Sequence, residues 1–410
     1  MRKILIVAVL GLAVSPLQAQ TPPHDPLATA ENAFAVDLYG KLRQTPGNLF
    51  FSPYSITTAL DMVYVGAKGS TADGIAQTLH LNSLSGTGAD LRAALLAAAE
   101  KQRPFPGDRQ SGFVFRAANA LWGNDSYSFN PDFVADIKTG FGGGLEPVDF
   151  RQPEQASAKI NDWAAQQTQD KIRNLVSPDI LRGDPPLVLT DAVYFKAVWR
   201  APFDPSATKR AEFHVSARHD VVADMMNMSD EFSLTQAHGV KVLSIPYGDG
   251  SMSLVIVLPD DSQGLPAVEA KLTAEKLDAW LAKSEYEPVI LSIPKFRVDR
   301  AFDLKNTLTL MGMDAAFSLE KADFTGIAHD PNRPIYIGSV VHKAHIEVDE
   351  QGTEAAAVTA DITLAGGAIE RPPTPVRFIA DHPFIYLIRS SDSGEILFMG
   401  RVNDPTQHGN

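Results

Sequence analysis

Apolar residues recur along this chain with two periods, and the switches between them mark out its elements. Phe34, Leu38 and Leu42 lie four apart, the spacing that puts side chains on one face of a helix. Leu91 to Glu100 is rich in alanine and predicts another helix. Strand patterns follow. Leu187 to Trp199 is almost continuously apolar, as expected of a strand covered on both faces, and Met252 to Leu258 reads the same way until Pro259-Asp260 ends it. Phe384–Ile388 and Ile396–Val402 flank Ser391-Asp392-Ser393-Gly394 and predict a closing hairpin.

One stretch changes character partway. From Val341 to Asp349 the residues alternate: Ile346 and Val348 point one way, and His345, Glu347 and Asp349 the other. After Gly352 the side chains, Glu354 apart, shrink to Thr, Ala and a single Val through Ala360. Such a run buries little, which fits an exposed loop. It also lacks the Gly, Pro and Asn that would keep it from becoming a strand. A segment able to be either, joined to a strand by a glycine, is suited to a change of state.

Composition narrows the classes. The 410 residues show no interior linker, so one large domain over 30–405 is allowed. Met1-Arg2-Lys3, the apolar run Ile4–Val14 and Leu17-Gln18-Ala19 read as a signal peptide over 1–19, followed by a flexible leader over 20–29. The apolar run falls short of the roughly 20 residues a membrane span needs. Export to a periplasmic or extracellular space is expected. Removing Arg2 and Lys3 leaves 34 basic against 49 acidic residues, a net charge of −15, which argues against nucleic acid and anionic membranes as partners. The absence of cysteine leaves packing alone to stabilise the fold. Gly140, Gly142, Gly143 and Gly144 lack phosphate-loop spacing, and Arg92, Lys101 and Arg103 are too dispersed for a heparin site. His342 and His345 fall on opposite faces of one strand, so no metal site is expected. With no G-x-S-x-G, H-E-x-x-H or Walker motif, neither an enzyme nor a cofactor is expected.

The run Glu350-Gln351-Gly352-Thr353-Glu354-Ala355-Ala356-Ala357, approached by Val341-His342-Lys343-Ala344, resembles the hinge of the serpins. Further matches follow in order over about 30–405: Asn48 to Ile56, Ala118 to Trp122, Ile160 to Ile172, Leu187 to Trp199, Ile293 to Val298, Asp303 to Met313 and the closing hairpin. The resemblance, to a secreted prokaryotic-type member, implies one mixed α+β domain. That domain has three sheets, eight or nine helices and an exposed reactive-centre loop within 350–375. It also implies suicide inhibition: a target serine protease cuts the loop, which then enters the main sheet as a new strand and traps the acyl-enzyme. A non-inhibitory substrate, carrier or chaperone is the alternative.

The residues suit that mechanism with one exception. Thr353, Ala355, Ala357 and Thr359 would face inward after insertion and are all small; Val358 faces outward. Asp361 falls on the inner face, where a lone carboxylate is costly. Glu350, Gly352, Thr353, Glu354, Ala355, Ala356, Ala357 and Val358 form the hinge. Counting forward by the family's spacing places the cut bond at Gly366–Gly367, whereas counting back from Val376 lands near Ile369–Glu370. Leu364 is a further alternative. These small or aliphatic residues point to an elastase-like or subtilisin-like target, with a cysteine protease as a second class. A monomer is expected. The resemblance places Ser52, Ser55, Asp191 and His342 in a polar switch under the sheet, and Trp199 at its top. Asp191 replaces the family's usual asparagine. A carboxylate beside His342 favours imidazolium, so sensitivity between pH 5 and 8 is expected.

Overall fold

The computed structural model describes residues 25–84, 88–101, 113–353 and 374–408. Its helices are α1 (Pro26–Leu42), α2 (Pro53–Tyr64), α3 (Gly69–Thr78), α4 (Gly88–Lys101), α5 (Pro131–Phe141), α6 (Pro153–Gln167), α7 (Pro178–Leu181), α8 (Leu265–Glu269), α9 (Ala274–Leu281) and α10 (Lys305–Leu308). The early strands are β1 (Leu49–Phe51), β2 (Phe113–Asn124), β3 (Leu145–Val148), β4 (Leu187–Val198), β5 (Lys209–Ser216), β6 (His219–Ala237), β7 (Val240–Tyr247) and β8 (Met252–Pro259). The later ones are β9 (Glu285–Pro294), β10 (Phe296–Asp303), β11 (Ile337–Asp349), β12 (Gly352–Thr353), β13 (Val376–Ile379), β14 (Phe384–Ser390) and β15 (Ile396–Val402). Since α7 and α10 are single turns of four residues, eight longer helices stand among the described residues.

Sheet A runs β10-β11-β12-β4-β2-β3. A second ladder runs β1-β15-β14-β8-β7-β6-β9-β13, with β5 also on β6. The 19-residue β6 is long enough to serve two sheets. Its first part pairs with β5 and β9, and Ser233–Ala237 pair with β7. Sheet B (β1, β15, β14, β8, β7 and the end of β6) and sheet C (β5, β6, β9, β13) therefore share one strand, giving three sheets in all.

Sheet A explains the apolar run of β4. Leu189, Val193, Phe195 and Ala197 face the core between sheets A and B, while Val188 and Ala192 pack with Val341 beneath Ile160 and Ala164 of α6. The neighbour β11 runs parallel to β4, with Val340 opposite Leu189, His342 opposite Asp191 and Ala344 opposite Val193. Helix α2 passes under this seam. It starts there because Pro53 sits in its first turn and the Ser52 hydroxyl accepts a bond from the Ser55 amide (3.2 Å).

Three boundaries differ from expectation. Helix α1 opens at Pro26, capped by Asp25, inside the stretch expected to be a flexible leader, and Ala28 and Ala30 are buried. The run Ile293–Val298 is divided at Lys295 between β9 of sheet C and β10 of sheet A. The expected helix after Asp303 is regular only to Leu308 and has a left-handed Gly312 (φ 122°).

Candidate functional site

The site is the upper end of the β4–β11 seam and the polar cluster below it. After β11 the chain reverses at once, because the Asp349 carboxylate accepts from the amides of Gln351 (2.8 Å) and Gly352 (3.2 Å). The next two residues, β12, lie between the tops of β11 and β4. Thr353 is level with Val348 on one side and Ala197 on the other; Gly352 is level with Asp349 and Val198. Glycine is required at 352. Its φ is 151°, and a Cβ there would come 2.0 Å from the Ala197 carbonyl oxygen.

Five contacts fix this turn. The Trp199 amide donates to the Gln351 carbonyl and its indole N–H to the Asp349 carbonyl, each at 2.9 Å. The Phe203 amide donates to the Glu350 carbonyl (2.9 Å). The Glu350 carboxylate takes the Lys295 ammonium (2.8 Å) and the Thr208 hydroxyl (2.8 Å). Burial works against the Glu350 charge, but these partners and its own backbone amide outweigh it and hold the carboxyl below its usual range. The bond to Glu350 raises Lys295 in turn. Thr353 is fully buried, with its hydroxyl 2.6 Å from the Tyr247 hydroxyl. The Tyr247 ring stacks on Trp199, with centroids 4.4 Å apart and planes 6° from parallel.

Lower in the seam, Ser52, Ser55, Asp191 and His342 come together, all essentially without exposure. His342 Nδ1 lies 2.8 Å from Asp191 Oδ2. The Ser52 amide donates to His342 Nε2 (3.1 Å), and the Ser52 hydroxyl donates to the Leu397 carbonyl (2.7 Å). The Ser55 hydroxyl faces two acceptors, Asp191 Oδ1 (2.5 Å) and Asn119 Oδ1 (2.8 Å). The Ser52 N–H points at Nε2, which accepts it, and Nδ1 faces Asp191. His345, on the other face, bonds Asp299 (2.6 Å), so the two histidines share no ligand.

Glu354, Ala355, Ala356, Ala357, Val358, Asp361, Leu364, Gly366, Gly367 and Ile369 lie outside the described residues. Sequence reasoning missed Asn119, Thr208, Tyr247 and Lys295. Asn119 carried a signal, a lone polar residue whose neighbours Ala118 and Ala120 face α6. Thr208 and Tyr247 carried none, because their partners are 142 and 106 residues away.

The serpin (serine protease inhibitor) family model matches residues 29–405. Leukocyte elastase inhibitor A of Rattus norvegicus is 35% identical over 390 residues, covering 92% of this chain and 99% of that protein. The crystal structure of Serpin48 of the insect Tenebrio molitor superposes with a TM-score of 0.81 at 32% identity, over 94% of this chain and 100% of that one. Human thyroxine-binding globulin, solved with its ligand, gives a TM-score of 0.81 at 28% identity, over 93% of this chain and 99% of that one. A family match across almost the whole chain, over a sheet whose seam already admits the first residues of its hinge, leaves one assignment: the chain belongs to the serpins, the serine protease inhibitor family, and is not an enzyme.

Proposed function

We propose that this serpin inhibits by the suicide route, and the observation that carries the reading is β12. Gly352 and Thr353 pair with β11 on one side and β4 on the other, so a strand entering the seam has its first two residues in place. From Thr353 to Gly366 is 14 residues, about 45 Å when extended. That spans the seam from Ala197 to below Leu187. In the reaction the target's serine attacks the loop carbonyl, the amine of the next residue leaves as a new N-terminus, and the ester remains on the loop. Insertion then drags the acyl-enzyme down the sheet before water reaches the ester. Every catalytic group belongs to the target.

The loop chemistry supports an elastase-like or subtilisin-like serine protease, cut at Gly366–Gly367, or at Leu364 or Ile369; a cysteine protease is the second class. We propose export through residues 1–19, on the strength of the Arg2-Lys3, apolar and Leu17-Gln18-Ala19 pattern, and, separately, a monomer. Among the described residues no helix is long and apolar enough to cross a membrane. Asp361 favours a second reading, a loop cut as plain substrate in a carrier or chaperone.

Mixing the mature protein with elastase-like, subtilisin-like, chymotrypsin-like and trypsin-like proteases separates the two. A band of summed mass that survives boiling, with a released C-terminal peptide whose mass fixes the bond, is expected with the first two. Clean cleavage with the protease still active would refute inhibition.

A further inference from the structure

We propose that Tyr247 is a positioning residue for inhibition: its hydroxyl holds Thr353 in the seam, so that insertion after cleavage extends an existing strand instead of starting one. The proposal rests on the inhibitory reading above and assigns a role within it.

The two hydroxyls are 2.6 Å apart, and both residues are buried, Thr353 completely and Tyr247 with 1% exposed. Burial pushes the phenol upward, so it remains a neutral donor or acceptor. The ring is held independently of this bond. It stacks on Trp199 and meets Phe195 edge-on at 5.5 Å. Tyr247 ends β7 of sheet B, whereas Thr353 belongs to sheet A. The bond therefore ties Thr353 to a part of the molecule that need not move when β4 and β11 separate. Starting a strand between two others fixes backbone before the cross-strand bonds are made, whereas each later residue adds its bonds as it is fixed. A hinge kept at 353 has that first step behind it. Releasing it returns the step to the interval in which the acyl-enzyme can be hydrolysed, and the excess of inhibitor cut per protease trapped varies inversely with the insertion rate.

Tyr247→Phe removes the hydroxyl and keeps the ring; Thr353→Val removes the other partner at constant shape. Leaving a buried hydroxyl unpaired shifts an equilibrium by about tenfold. In the full-length protein without protease, the amides of Gly352 and Thr353 should exchange about tenfold faster in either variant, and no faster in the double variant. With an elastase-like protease that forms the boiling-resistant adduct, the excess of inhibitor consumed per adduct should rise about tenfold, while the association rate does not fall. Thr353→Ser, which keeps a hydroxyl, should behave as the parent. A purely structural role would lower thermal stability and leave exchange at the hinge and the partition unmoved. Unchanged exchange and partition in Tyr247→Phe, or effects that simply add in the double variant, overturn the assignment. If the parent forms no adduct with any protease, the inhibitory reading fails and the role in insertion fails with it. An intact adduct in the parent with no change in the variants overturns Tyr247 alone.

Discussion

Replacing Asp361 by alanine should deepen loop insertion and remove a pH dependence from inhibition. The register of β12 allows the level to be worked out. Thr353 stands between Ala197 and Val348, and antiparallel continuation carries residue 361 to the level of Leu189 and Val340. Those two residues are opposite each other in the closed seam, so both sides give the same answer. Each is 1% exposed and belongs to the apolar core under sheet A. The nearest basic group in register is His342, two residues up β11, about 6.6 Å along the strand. At that distance it makes no hydrogen bond. Asp361 must therefore enter protonated. With an ordinary aspartate value near 3.9, taking up the proton at pH 7 costs about 4 kcal/mol. Each pH unit lower relieves about 1.4 kcal/mol. The parent should consume less inhibitor per trapped protease at pH 5 than at pH 7, and the Asp361→Ala variant should show no such trend and a higher melting temperature once cleaved. Stoichiometric titration of one protease across that range, with calorimetry of the cleaved forms, measures both. Equal stoichiometry and equal melting of parent and variant at pH 7 would show that 361 never enters the sheet or finds a partner there.

Two predictions concern other buried carboxyls. Asp191→Asn gives the Ser55 hydroxyl a donor and frees its own hydrogen for Asn119, while the amide oxygen still accepts from His342. The variant should stabilise the uncleaved protein by about 1–2 kcal/mol in chemical unfolding, and a loss would mean that the carboxylate is the better partner. Glu31 of α1 and Glu395 before β15 face each other, with Asp25, Asp61 and Tyr54 as neighbours. Burial first, and then for Glu31 the repulsion of Glu395, holds both carboxyls above their usual range. Stability they lend is complete below the unfolded value near 4.5 and drains away as pH rises through the folded values. Glu395→Gln should match the parent near pH 4 and melt higher at pH 7; parallel melting curves at every pH would refute this.

What the sequence made legible was local. The apolar run Leu187–Trp199 and the period-four apolar positions of α1 each report their own surroundings. Boundaries set by partners elsewhere were not legible. Ile293–Val298 reads as one strand, yet its halves pair with β6 and β11 in different sheets, and Lys295 at the division donates its amide to the Asp224 carbonyl. Helix α1 reaches back to Pro26 because Ala28 and Ala30 find cover in the fold, which a polar, proline-containing stretch does not announce. The surroundings of His342 follow the same rule. Sequence supplies the carboxylate beside it, but the amide that bonds its Nε2 comes from Ser52, 290 residues away.

The hinge and the polar cluster are two ends of one register. The continuation that carries residue 361 to Leu189 carries Thr359 to the level of Asp191 and His342, on the same inner face. In the closed sheet those two side chains bond each other directly across the seam at 2.8 Å. A strand placed between β4 and β11 moves them about 4.8 Å further apart and breaks that bond. It also brings in a hydroxyl, which can accept from one partner and donate to the other. Opening the seam thus costs a buried polar contact that the sixth residue after Thr353 is placed to restore, whereas two residues later Asp361 meets leucine and valine. Insertion should therefore be favourable as far as the cluster and opposed just beyond it, and position 361 decides whether the loop is trapped or merely cut.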